Sequence, residues 1–382
     1  MDYIYLDNNA TTRIAPEVLD AMIPYLSSYY ANASSAHGFG KEINSAVKQA
    51  RNQVAGLIDC EPNEIVFTAG ATEAINLAIK GVAESYQSKG RHIVTVQTEH
   101  SAVLDVCRHL ETRGYEVTYL PVSRDGLINL SQLRSVLRSD TILVAVMTVN
   151  NETGVQQPIR QIADLAHEVD AIFVSDATQI VGKLPLSVED YAIDLMPFSA
   201  HKFYGPKGIG GLFVRQRLPR RVRLEAMTHG GGHERGLRSG TLNVPGIVGM
   251  GKACELAQAS MVNNATQIGL LRDQLETSLL EINGAFVIGN RAERLFNVTN
   301  ISFPGTDANV LIGQLKNIAV SNGSACSSAV FEPSHVLKAM GLTDEEALSA
   351  VRFSLSHYTT GAEIETVVRR FKTLLAGQSH LQ

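Results

Sequence analysis

IVFTAGATEAINLAIKGVAESY, residues 65–86, opens as a short apolar run, turns through Ala69 and Gly70, and continues with apolar residues at helical spacing. A strand that feeds a helix through small residues is half of a β-α-β unit. Working outward, the same alternation extends from about residue 60 to 215. Strands are expected at His92–Val96, Glu116–Leu120, 141–147 and 171–175, and helices at 102–113, 131–138 and 159–169. These strands are apolar on both faces, as in a parallel sheet covered by helices, so the pattern predicts an α/β sandwich with right-handed crossovers. From about residue 256 the character changes. A long helical stretch to about 282 precedes strands at 299–303, 318–321 and 350–355 and a helix at 307–315. A final helix carries the apolar stripe Ile364, Val367, Val368, Phe371, Leu374 and Leu375. This part predicts a smaller α+β domain, in keeping with a chain of 382 residues that exceeds what one core usually organises.

Bulk properties narrow the function. The net charge of -5 argues against a generally basic, nucleic-acid-binding surface. No apolar run approaches the roughly 20 residues that span a bilayer. The opening MDYIYLDNN is acidic and no signal peptide, so a cytoplasmic location is expected. Cys60, Cys107, Cys254 and Cys326 are scattered, which excludes a disulfide framework and a zinc-ribbon spacing.

The residues that carry chemistry sit at the strand ends. SAHKFYGPKGIGG (199–211) puts Ser199, His201 and Lys202 before a Gly-rich turn. In TAGATE (68–73), small residues and Thr72 open a helix, where backbone N–H groups and the helix dipole favour an anion. Asp176 follows a strand in VSDATQ, where open α/β sheets place ligands, and could keep a pyridinium charged. A phosphate cradle, a carboxylate and a Schiff-base lysine are what pyridoxal phosphate requires of a protein. His100 would stack on such a ring, and the segment 149–152 would add an amide near its phenolic oxygen. Cys326, in SNGSACSS (321–328), has the Gly/Ser surroundings of a mobile, solvent-facing loop. Arg352, in VRFSL, could fork a substrate carboxylate or form a structural ion pair. GIVGMGKA (246–253) mimics a phosphate loop but lacks its Ser/Thr and a preceding strand, so it predicts a helix start after Pro245. His229 and His233 flank three glycines and predict a glycine-rich loop; no metal is expected.

With these motifs in hand, the chain resembles the NifS/IscS-type cysteine desulfurases, class-V aminotransferase-like enzymes of the fold-type I pyridoxal-phosphate class. The resemblance runs through YLDNNATT (5–12), NASSAHGFG (32–40), EIVFTAGATEAINLAIKG (64–81), TEHSAVLD (98–105), VNNETGV (149–155), DATQIVGKLP (176–185), SAHKFYGPKGIG (199–210), HGGGHERGLRSGT (229–241), SNGSACSS and RFSL (352–355). It implies a large domain over residues 14–258, with a mainly parallel seven-stranded sheet between helices. It implies a small α+β domain from residues 1–13 and 259–382, carrying the Cys326 loop. By the same resemblance Lys202 bears the cofactor, and Ala71, Thr72, Ser199 and His201 hold its phosphate. Asp176 pairs with the pyridine nitrogen and Gln179 contacts the phenolic oxygen. His100 stacks and handles protons, and Asn151 and Arg352 bind on the substrate carboxylate side. Thr241 reaches the phosphate of the neighbouring subunit, which implies a homodimer. The implied reaction converts L-cysteine to L-alanine and leaves the sulfur as a persulfide on Cys326. A sulfur-acceptor protein then takes it, for iron–sulfur cluster assembly or other sulfur traffic. Alternatives within the class are selenocysteine lyase, cysteine sulfinate desulfinase or an aminotransferase; the Cys326 loop favours the desulfurase. The chain stops soon after its final helix, without the longer tail that housekeeping members use toward a cluster scaffold; this weakens the expectation of an iron–sulfur scaffold, against another carrier, as the acceptor, and leaves the chemistry untouched.

Overall fold

The computed structural model describes residues 3–323 and 332–378. The strands are β1 (Ile4–Tyr5), β2 (Ile65–Thr68), β3 (His92–Val96), β4 (Glu116–Leu120), β5 (Thr141–Ala145), β6 (Ile172–Val174), β7 (Leu195–Ser199), β8 (Gly210–Val214), β9 (Phe286–Val287), β10 (Val298–Ser302), β11 (Ile318–Ala319) and β12 (Ala350–Ser354). The helices are α1 (Pro16–Ser27), α2 (Gly38–Ile58), α3 (Ala71–Ser85), α4 (Ser101–Glu111), α5 (Leu130–Val136), α6 (Ile159–Glu168), α7 (Val244–Leu279), α8 (Ala308–Gln314), α9 (His335–Ala339), α10 (Asp344–Leu348) and α11 (Gly361–Gln378).

Seven strands form one sheet in the order β2-β8-β7-β6-β5-β3-β4. Every pairing is parallel except the two made by β8, which runs against β2 and β7. All but β4 are buried along their whole length, as strands covered on both faces must be. One core lies on the face covered by α2, α6 and the first half of α7, the other on the face covered by α3 and α4. Because β2, β3, β5, β6 and β7 all point one way, the turns that leave them open onto one edge of the sheet.

β7 was not expected as a strand. Pro197 breaks the usual strand composition; in the sheet it faces Leu212 of antiparallel β8, with parallel β6 on the other side. α7 joins the helix start expected after Pro245 to the long helical stretch expected from 256. Asn243 caps it by accepting from Gly246 N at 3.1 Å, and GIVGMGKA forms its first turns. Its 36 residues make a rod of about 54 Å, buried near Ile247 and Met250 in the first core and near Leu275 and Leu279 in a third. That third core gathers β10, β12, α8, α11 and Leu6. The segment around β1 therefore belongs with residues hundreds of positions later. β1 pairs with β11, and Asn8 N donates to Ser354 O at 3.1 Å.

Candidate active site

The turns at the sheet edge enclose a cavity of about 720 Å³. Ala71, Thr72, His100, Asn151, Asp176, Gln179, Ser199, His201, Lys202 and Arg352 all line it, so ten residues singled out in the sequence meet at one place. Thr241 does not; it is exposed and lies outside that wall. Cys326 lies outside the described residues.

The anion end is built from β2, α3 and β7. No side chain caps α3, so its first backbone N–H groups remain available as donors. Gly210 lets β8 pass close beneath: a Cβ there would stand 2.7 Å from Gly70 Cα. Glu234 fixes β2 just before the turn, accepting from Phe67 N at 2.8 Å and from Arg51 Nη1 at 3.0 Å. Neither Glu234 nor Arg51 carried a sequence signal, because the pair forms across 183 residues.

The carboxylate Asp176 accepts from Thr178 N at 2.9 Å and from the Thr178 hydroxyl, both through Oδ1. Oδ2 receives no hydrogen bond among the described residues. Its backbone carbonyl is gripped by Thr148 N at 2.9 Å and by the Thr148 hydroxyl at 3.0 Å, which sets its position at the end of β6. His100 caps α4, its Nδ1 accepting from Ala102 N at 3.1 Å. Burial holds its pKa below the usual value, against the pull of Asp176, with Lys202 adding to the depression. The ring is thus neutral at pH 7, and an Nδ1 that accepts leaves its proton on Nε2.

Lys202 Nζ donates to the backbone carbonyls of Asn9 and Ala10, each at 2.7 Å. Asn9 is a junction that the sequence did not reveal. Its carbonyl also receives Gln179 Nε2 at 3.0 Å, its Nδ2 donates to Asn151 O at 3.1 Å, and its N–H reaches Ser354 Oγ at 2.9 Å. Arg352 is 4% exposed and does form an ion pair, with Asp7 at 2.6 Å, while Nη1 donates to Asn151 O at 3.0 Å. Its buried Nε has no partner among the described residues. Among the described residues no group of three or more His, Cys, Asp or Glu side chains could hold a metal ion. None of their helices is long and apolar enough to cross a membrane.

His201 bonds Thr11 Oγ1 through Nδ1 at 3.1 Å. Burial first, then Lys202 and Lys207, draw its pKa down to about 4. The unfolded chain protonates a histidine near pH 6.5. Between about pH 6.5 and about pH 4 the unfolded state therefore holds more protons than the folded one, and stability falls as the pH falls. The Tm of the cofactor-free chain is expected to decline across this window, and His201→Gln should flatten the decline. Parallel curves for the two proteins would show that His201 does not drive it.

An uncapped helix terminus, a carboxylate with an open oxygen and an amine on one wall can bind a phosphorylated, aromatic, nitrogen-bearing cofactor. Comparison with known proteins agrees with that chemistry. The model of the family "Aminotransferase class-V" matches residues 4–367. Cysteine desulfurase IscS of Pectobacterium carotovorum subsp. carotovorum (strain PC1) is 50% identical over 368 residues, 96% of this chain and 91% of that protein. The chain belongs to the NifS/IscS-type cysteine desulfurases of the class-V aminotransferase family. Cysteine desulfurase IscS of Histophilus somni (strain 129Pt) is 49% identical over 97% of the enzyme and 92% of its own length. Among solved structures, a NifS-like protein superposes with a TM-score of 0.92 at 38% identity, covering 98% of the enzyme and 99% of that chain. The structure of SspA in complex with cysteine gives a TM-score of 0.80 at 38% identity, covering 94% and 100%. The fold class expected from the sequence, a mainly parallel seven-stranded α/β sheet of the fold-type I kind, is the one observed.

Proposed function

We propose that the chain is a pyridoxal-phosphate-dependent cysteine desulfurase that converts L-cysteine to L-alanine and leaves the sulfur as a persulfide on Cys326. The observation that carries this is the convergence of Lys202, Asp176, His100 and the α3 N-terminus on one cavity. The residues fit the cofactor. The α3 N–H groups, the Thr72 and Ser199 hydroxyls and neutral His201 suit a phosphate, and Asp176 Oδ2 suits a protonated pyridine nitrogen. Lys202 supplies the amine, and the cavity volume lies in the usual range for such ligands.

Pyridoxal phosphate, when bound, would supply an electron sink to the carbon next to an attached amine. Asp176 would hold a proton on its ring nitrogen. Gln179 would offer an amide N–H to its phenolic oxygen, and His100 would stack on the ring. Asn151 and Arg352 orient the substrate carboxylate, with Arg352 held in place by Asp7. Lys202 takes the proton from the substrate Cα. The Cys326 thiolate accepts the sulfur: the Cβ–S bond of L-cysteine breaks, an S–S bond forms, and L-alanine leaves with the electron pair and proton. L-cysteine plus thiol thus gives L-alanine plus persulfide, with no outside oxidant or reductant. Release to a sulfur-acceptor protein regenerates the thiol.

We also read residues 14–258 as the large domain and residues 1–13 with 259–382 as the small one, a division supported by the separate core around Leu6, Leu275 and Phe371. A homodimer is supported by two features. Thr241 is exposed away from its own cavity, and α1 leaves Leu19, Ile23 and Leu26 exposed. We place the enzyme in the cytoplasm, working on L-cysteine and an acceptor protein, without nucleic acid or membrane. The test is an anaerobic assay of the wild-type protein with L-cysteine and dithiothreitol. Equal amounts of alanine and sulfide are expected; neither product from a yellow, cofactor-loaded protein would reject the assignment.

A further inference from the structure

Lys183 has no part in the scheme above, yet it sits directly behind the cavity wall. It stands four residues beyond Gln179 and is 7% exposed. Its Nζ donates to Gln179 Oε1 at 3.0 Å and to Asn9 Oδ1 at 3.4 Å. No carboxylate of the described residues pairs with it. The charged groups that reach it are Lys202 and Arg352, both cations. On its other side lie Tyr204, Asn264 and Asn297, all uncharged at neutral pH. Burial, then Lys202, then Arg352 bring its pKa down to about 7.

A buried amine without a counter-ion is costly, and a methionine of similar length would fill the space without that cost. What the amine adds is orientation: its N–H groups donate, so it selects the oxygen of each amide it meets. Gln179 is thereby turned with Nε2 toward the Asn9 carbonyl and the cavity. That same carbonyl receives Lys202 Nζ.

We infer that Lys183 is a positioning residue for Lys202: it fixes the amides of Gln179 and Asn9 against that lysine. This rests on the proposed role of Lys202 toward pyridoxal phosphate. The test is an absorption titration of the loaded, substrate-free protein from about pH 6 to about pH 10, for wild type, Lys183→Met and Lys183→Gln. Lys183→Met, which removes the donor, is expected to move the midpoint of the cofactor's visible band by about one pH unit, and Lys183→Gln, which keeps one, by less. The kcat of Lys183→Met for L-cysteine should fall about ten-fold, while KM stays within about two-fold. Lys183→Leu takes its place if the Met variant does not fold. An unchanged midpoint in the coloured, folded Met or Leu variant, or an equal shift in the Gln variant, overturns the inference. A colourless wild type overturns the cofactor assignment itself, and this inference with it.

Discussion

Lys202→Ala is expected to abolish alanine formation from L-cysteine, a loss of about 10⁴-fold or more. Two functions disappear with one side chain. On the proposed scheme, the amine that would attach the cofactor is gone, and so is the base for the Cα proton. The fold should survive, because Lys202 closes a short turn after β7 and bonds two backbone carbonyls rather than a core. The check is alanine release under anaerobic, saturating cysteine, with Tm measured on the same sample. Turnover within ten-fold of wild type, in a stably folded variant, would remove Lys202 from the reaction.

Cys326→Ser is the second large effect. The variant is expected to bind pyridoxal phosphate and show its visible band as wild type does. Sulfide and alanine production should fall by roughly 10³-fold. A thiol is a few per cent ionised near neutral pH, and its thiolate is a strong nucleophile toward sulfur; a serine hydroxyl offers neither property. Retained cofactor with lost turnover separates the sulfur-accepting step from cofactor binding, which Lys202→Ala cannot do. Normal sulfide release from the serine variant under limiting reductant would assign the acceptor thiol elsewhere. Burial pushes Cys107 up to about 12, and it also raises Cys60 and Cys254 well above the ordinary thiol range, so none of the three is a ready substitute.

Legibility in the sequence followed the range of the interactions. β2, β3 and β4 stand where the apolar runs place them, because strand and helix periodicities are local. Lys202, Asp176, His100 and Thr72 were recognisable because each follows a strand at one end of a parallel sheet. β7 escaped notice because Pro197 lowers its strand character. The contributions of Asn9 and Ala10 could not be read at all. They act through backbone carbonyls, which any residue carries, and they meet Lys202 across more than 190 positions. Lys183 carries no sequence signal of its own; its burial and its two amide partners single it out. Arg352 carries two meanings in the sequence, and the structure shows one of them, an ion pair with Asp7, at the cavity wall. Thr241 is exposed and away from this cavity, so the single chain gives its expected role no geometry.

The junction between residues 6–10 and β12 bears on how the enzyme comes into being at the ribosome. Leu6, Asp7, Asn8 and Asn9 are all held by Arg352 or Ser354, some 345 positions later. The early segment emerges first, but its partners are translated almost last. Closing so long a loop is entropically demanding and slow to find. Until β12 has emerged, the carbonyls that hold Lys202 have no fixed place, even though the seven-stranded sheet is already complete at Val214. A nascent chain thus carries its reactive lysine without a finished pocket, and competence to act on cysteine arrives only with the closing stretch of synthesis.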